Sequence, residues 1–134
     1  MFKTIVFPLD RSREAREAAD VVAQLATIHQ VEKLILLSVV EDPEDPHAQG
    51  MTSEAVITEL LQSAQDHFSK AGIQTEVMHR NGKPAFVICD VADEIRANLI
   101  VMGCRGIGLT EEGAADSVTN RVINLAPCPV LIVP

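Results

Sequence analysis

Strand-like and helix-like stretches alternate along this chain from one end to the other. The runs Thr4–Leu9, Lys33–Val40, Ile73–His79, Asn98–Met102 and Cys128–Val133 are rich in β-branched and other apolar residues, and four helix-periodic segments separate them. A strand, a helix and a second parallel strand join by a right-handed crossover, so repetition of that unit builds a parallel sheet with helices on both faces. The expected fold is therefore α/β, a five-stranded parallel sheet in the order 3-2-1-4-5, with residues 1–134 forming one domain.

The helical segments carry their own punctuation. Between Arg13 and His29, the residues Ala15, Ala18, Ala19, Val22, Ala23, Leu25 and Ala26 make a small-residue face suited to close packing on a sheet, with Asp10 or Ser12 as the cap. Thr52 or Ser53 starts the next helix, whose Val56, Leu60, Leu61, Ala64 and Phe68 recur at helical spacing before Gly72 closes it. Asn81-Gly82-Lys83-Pro84 turns the chain into a third helix bearing Ala85, Val87, Ile88, Val91, Ala92 and Ile95, with Cys89 as a small buried apolar residue. The fourth runs from Val118 to Ala126. Ile73–His79 alternates in polarity, as an edge strand with one wetter face would. The doubly wound order is that of flavodoxin-like and Rossmann-like sheets, and it sets Asp10, after strand one, beside Gly103, after strand four, where such sheets take ligands.

The stretch from Met102 to Thr119 is where chemistry is expected. Asn98–Met102 stops at Gly103-Cys104-Arg105-Gly106, and after a polar interval the last helix begins at Val118. Glycines in such a loop let the backbone approach a phosphate, and free amides at the helix start point at the anion; the same pair of glycines also makes an ordinary turn.

Charge and composition remove several classes. The net charge is −8, with 19 acidic against 11 basic residues and neither Trp nor Tyr for base stacking, which disfavours nucleic acid as a partner. Apolar residues make up 47% of the chain, yet no run approaches the roughly 18 residues of a membrane helix, so no membrane association is expected. Met1-Phe2-Lys3-Thr4 enters a strand at once, so no signal peptide is expected, and the three cysteines, Cys89, Cys104 and Cys128, are unpaired in spacing; a cytoplasmic location is expected. Glu41-Asp42-Pro43-Glu44-Asp45-Pro46-His47 holds four carboxylates and a histidine without any repeated ligand spacing, and reads as a solvated connection.

Taken together these residues resemble the universal stress protein family over essentially the full length. The resemblance is carried by Thr4-Ile-Val-Phe-Pro-Leu-Asp10-Arg-Ser12, by Gly82-Lys-Pro84-Ala85 with Ile88 and Ala92, by Asn98-Leu-Ile-Val-Met-Gly103-Cys-Arg-Gly106, and by Ala126-Pro-Cys-Pro129-Val-Leu-Ile-Val133. It implies the adenine nucleotide alpha hydrolase-like version of the α/β sheet. The ATP-binding branch of the family carries a glycine, two residues, a second glycine, nine residues, then glycine and a hydroxyl residue. Gly103 and Gly106 match, Ser117 supplies the hydroxyl, and Asp116 stands at the third glycine. By resemblance, Asp10 faces the ribose or adenine, Pro8, Val39 and Met102 line the base pocket, and Gly103, Gly106, Ser117, Val118 and Thr119 hold phosphates and ribose.

The ligand so implied is ATP or AMP, with Mg accompanying a triphosphate and no tightly bound metal. A carboxylate about 4 Å from a phosphate charge costs on the order of 4 kcal/mol at an effective dielectric near 20, so Asp116 is expected to weaken triphosphate binding and to spare a nucleoside or monophosphate. The family also implies pairing of last strands, and Val130-Leu131-Ile132-Val133 would be an exposed apolar edge in a monomer, so a homodimer is expected. The rival reading is a dimeric interaction protein that no longer depends on nucleotide, with an unidentified protein partner in either case. Catalysis is not expected beyond weak ATP hydrolysis: no general base neighbours a nucleophile, and Cys104, though beside Arg105, lacks a resolving cysteine nearby. A flavin-type electron carrier would need a loop aromatic, and none is present.

Overall fold

In a computed structural model of the chain, residues 2–46, 51–103 and 118–134 are described. Nine elements follow in order: β1 (Thr4–Pro8), α1 (Arg13–Ile28), β2 (Lys33–Val40), α2 (Glu54–Lys70), β3 (Glu76–Asn81), α3 (Pro84–Glu94), β4 (Leu99–Gly103), α4 (Val118–Leu125) and β5 (Val130–Val133). The strands form one parallel sheet in the order β3-β2-β1-β4-β5, the order expected from the sequence.

The period of two along the strands divides the core into two layers. Ile5, Phe7, Leu34, Leu36, Leu99 and Val101 face α1 and α2, where Phe7 meets Phe68 edge to face at 6.2 Å. Val6, Leu37, Val39, Ile100 and Met102 face α3 and α4. Seven consecutive buried residues in β2, Leu34–Val40, follow from its place inside the sheet with a helix layer on each side. The small face of α1 does what its alanines suggest: Ala15, Ala18, Ala19, Val22 and Ala26 are buried against the sheet.

Capping resolves the alternatives left by the sequence. Ser12 caps α1, its Oγ accepting from the Ala15 amide at 3.1 Å, while Asp10 Oδ1 accepts from the Ser12 amide at 2.8 Å. Ser53 caps α2, accepting from Val56 N at 3.4 Å. Gly72, at φ +78, follows the α2 C-cap, where a side chain would be strained.

The third strand is displaced from its expected place. Ile73–His79 was the alternating run, but β3 is Glu76–Asn81. The Ile73 amide is taken up by Phe68 O in closing α2, and the Gln65 side chain donates to Thr75 O, so pairing with β2 begins only at Ile35↔Glu76 and continues to Val40↔Asn81. It is the edge strand, as its polarity suggested. The last strand is likewise shorter than its run: Pro129 has no amide to donate, though its carbonyl accepts from Ile100 N, and β5 starts at Val130. Among the described residues no helix is long and apolar enough to cross a membrane.

Candidate functional site

The carboxyl end of the sheet opens between β1 and β4. Register between β1 and β2 runs on to Pro8↔Leu37, whereas between β1 and β4 it covers only Ile5↔Leu99 and Val6↔Ile100. Beyond Pro8 the chain is held to the β2 side: the Leu9 amide donates to Leu37 O at 2.7 Å, and the buried Ser38 hydroxyl donates to Leu9 O at 2.9 Å. β1 is followed by a helix on one face and β4 by a helix on the other, which makes this the switch point of the sheet.

Asp10 stands half-buried at the β1 side of the opening, with one oxygen engaged in the turn to Ser12. Pro8, half-buried, ends β1. On the α3 and α4 face, Val39 and Met102 are only 7% and 6% exposed and belong to one apolar cluster, against which the partly buried Val118 packs. Thr119, in the first turn of α4, is buried too. The structure thus brings Val39, Met102 and Val118 into one apolar layer beneath the opening, with Asp10 and Gly103 at the ends of the two strands that bound it. Gly106 and Ser117, together with Cys104, Arg105 and Asp116, lie outside the described residues.

Gly103 has a structural duty that the sequence did not announce. A Cβ at this position would stand 2.6 Å from the carbonyl carbon of Glu14 and 2.8 Å from the Ala15 amide nitrogen, so β4 ends in direct contact with the first turn of α1. The signal that points to it is the small-residue face of α1, which lets helix and sheet approach closely. Gly103 also pairs with Val133, the last residue of β5.

Charge around the opening is uneven. Arg11, Arg13 and Arg16 flank the turn from Asp10 into α1. On the β2 side, Asp42 and Glu44 are exposed, with Asp42 Oδ1 accepting from the Glu44 amide. Glu41, which the sequence placed in a solvated connection, is in fact buried, its amide donating to Met51 O at 2.7 Å; the chain folds Met51 back over the end of β2. Burial pushes the Cys89 and Cys128 thiols up from their ordinary values, which suits packing rather than nucleophilic work. A cleft of about 590 Å³ opens at the opposite end of the sheet, bounded by Lys33, Gln65, Ser69 and Thr75, away from all of these groups.

Three comparisons bear on this arrangement. The model of the Universal stress protein family matches residues 1–134. Universal stress protein Sll1654 of Synechocystis is 63% identical over 137 residues, covering 100% of this chain and 87% of that protein. Among solved structures, a universal stress protein in complex with cAMP superposes with a TM-score of 0.80 at 29% identity, covering 98% of this chain and 96% of that one. The universal stress protein from Archaeoglobus fulgidus in complex with dAMP gives 0.73 at 25% identity, covering 99% and 98%.

Proposed function

The chain belongs to the universal stress protein family, and we propose that it is a stress-response module that holds an adenine nucleotide in the crevice between β1 and β4. The observation that carries this reading is the apolar layer of Val39, Met102 and Val118 under an opening bounded by Asp10 and Gly103, a setting for a flat base with a polar group at its edge. The cAMP and dAMP complexes of the two structural relatives support the ligand class. In this reading Pro8, Val39 and Met102 line the base, Asp10 meets the ribose or the base edge, and Gly103, Gly106, Ser117, Val118 and Thr119 hold ribose and phosphate. Asp116 at the third glycine of the motif makes a monophosphate the favoured form and leaves triphosphate binding weak, with Mg relevant only to the latter.

A dimeric interaction protein independent of nucleotide is the second reading, favoured by the half-exposed apolar side chains Ile123 and Leu125 on α4 and by Leu131 on β5. Titration of the purified chain with labelled AMP and ATP, with and without magnesium, separates the two. AMP binding in the micromolar range and weaker ATP binding are expected; binding of neither supports the second reading, and micromolar magnesium-dependent ATP binding removes the role given to Asp116.

A further inference from the structure

We propose that Ser38 is the residue that keeps this crevice open to its ligand, a positioning role that rests on the nucleotide reading above. Ser38 is fully buried, and by the alternation of β2 it belongs to the row Leu34, Leu36, Ser38 and Val40 that faces α1 and α2. It is the polar member of that row, and a hydroxyl among apolar side chains costs stability unless it is bonded. Here it donates to Leu9 O at 2.9 Å, one residue past the end of β1.

The bond falls where the two sides of β1 part. Pairing between β1 and β4 stops at Val6↔Ile100, while pairing with β2 goes on to Pro8↔Leu37. The Leu9 amide extends the β2 side by one more bond, to Leu37 O at 2.7 Å, and the Ser38 hydroxyl holds the carbonyl of the same residue. Both main-chain polar groups of Leu9 are thereby tied to β2, and the exit of β1 is drawn away from β4. The turn that follows is built on this anchor: Asp10 Oδ1 accepts from the Ser12 amide, and Ser12 Oγ accepts from the Ala15 amide in the first turn of α1. That first turn is where β4 ends, since Gly103 rests on the Glu14 and Ala15 backbone. One hydroxyl therefore connects β2 to the turn that carries Asp10 and, through α1, to the far wall of the opening. Apparent affinity falls with the fraction of molecules in which a site is formed, so this bond acts on binding although Ser38 is too buried to touch a ligand.

The test pairs calorimetric titration of the full chain, with AMP and with adenosine, and amide hydrogen exchange of the ligand-free chain. The wild type is compared with Ser38→Ala, Ser38→Thr and the control Leu34→Val, a buried position near the start of β2. Ser38→Ala is expected to weaken both ligands by the same factor, about tenfold, and to speed exchange of the Leu9 amide similarly relative to the ladder amides of β2, as loss of one buried hydrogen bond would. Ser38→Thr keeps the hydroxyl and is expected to hold both affinities within about threefold. Leu34→Val lowers the melting temperature and leaves both affinities within about twofold. Across the set, affinity should follow protection of the Leu9 amide. A Ser38→Ala chain that binds like the wild type, loses AMP alone, or keeps its Leu9 amide as protected as before overturns the role of Ser38 while the nucleotide reading stands. So does a loss in Leu34→Val equal to that in Ser38→Ala, which traces the effect to stability alone, or a loss in Ser38→Thr with Leu9 still protected. A wild-type chain that binds neither ligand overturns the nucleotide reading and this inference with it.

Discussion

Gly103, the last residue of β4, lies against the backbone of Glu14 so closely that a Cβ would come within 2.6 Å of the Glu14 carbonyl carbon and 2.7 Å of its oxygen. The obstacle is main chain of a helix turn, which cannot swing aside as the end of a flexible side chain would. Gly103→Ala is therefore expected to destabilise the fold by about 2 kcal/mol or more, in the range of core overpacking, and to lower the melting temperature by several degrees. Thermal unfolding of the ligand-free variant checks this. An unchanged melting temperature would assign the glycine to ligand approach alone.

The two serine caps differ in geometry, and their removal should differ in cost. Ser12 Oγ accepts at 3.1 Å and sits in a turn that Asp10 also braces, whereas Ser53 Oγ accepts at 3.4 Å on an exposed helix start. Ser12→Ala is expected to cost about 1–2 kcal/mol and Ser53→Ala about 0.5 kcal/mol, the two ends of the usual range for N-caps. Urea unfolding at constant m-value measures both. Equal losses would show that cap distance does not govern the cost here.

Arg80 and Glu94 join β3 to the end of α3 through two contacts, at 2.9 Å and 2.7 Å. The hydrogen bond from Arg80 holds the Glu94 carboxyl below its ordinary value. A carboxyl with a depressed folded-state pKa contributes stability that is fully present above the unfolded value, about 4.3, and is lost as pH falls through the folded value. Both groups are exposed, so the effect is small and weakens with salt. Titration by NMR should place the Glu94 midpoint below that of an isolated glutamate, and Arg80→Gln should return it to the ordinary range. A midpoint unmoved by Arg80→Gln refutes the assignment.

The strand order was legible in the sequence because it depends on a coarse signal: five apolar runs and four amphipathic ones leave few parallel arrangements. What escaped were features decided between elements far apart in sequence. The alternation of Ile73–His79 read correctly as an edge strand, yet the Ile73 amide closes α2, which no local pattern reveals, and the strand begins at Glu76. Glu41 reads as solvated in an acid-rich run and is buried because Met51 folds back over it. At the candidate site, the family resemblance supplied the residue set, and Asp10 with Ser12 left two capping choices that only the observed bonds separate. Gly103 is expected from the sequence only as a ligand glycine; its contact with Glu14 was not legible, because the alanines of α1 say that something approaches but not what.

In the nucleotide reading proposed above, Asp116, at the position of the third motif glycine, is expected to act most strongly on the most highly charged ligand. A carboxylate near a phosphate group is repulsive by on the order of 4 kcal/mol at about 4 Å and an effective dielectric near 20, and each 1.4 kcal/mol is a factor of about ten. Asp116→Gly is expected to raise ATP affinity by at least about tenfold and to change AMP much less, with adenosine unaffected. Equilibrium binding of the three ligands to the variant and the wild type provides the check. A uniform gain for all three would trace the effect to the backbone freedom of glycine and not to charge.

β5 is the last strand of the sheet, and its side chains are not sealed: Leu131 is 36% exposed, and Val130, Ile132 and Val133 are partly so. A strand edge of this composition, with neither Pro nor charge between Val130 and Val133, favours pairing with a second copy. The half-exposed Ile123 and Leu125 on α4, the helix that precedes β5, add apolar surface that association would cover. Light scattering at micromolar concentration should give a dimer mass for the unmodified chain. Leu131→Lys should give a monomer whose circular dichroism is unchanged, because the lysine adds charge at an exposed position without entering the core. Gly103, at the opening, pairs with Val133 in the same β4–β5 ladder that holds Leu131, so the variant also tests whether the sheet edge and the opening are coupled. If the dimer forms through this edge, AMP affinity measured above and below the dimer dissociation constant should differ for the wild type and not for Leu131→Lys. A monomer mass for the unmodified chain refutes pairing through β5.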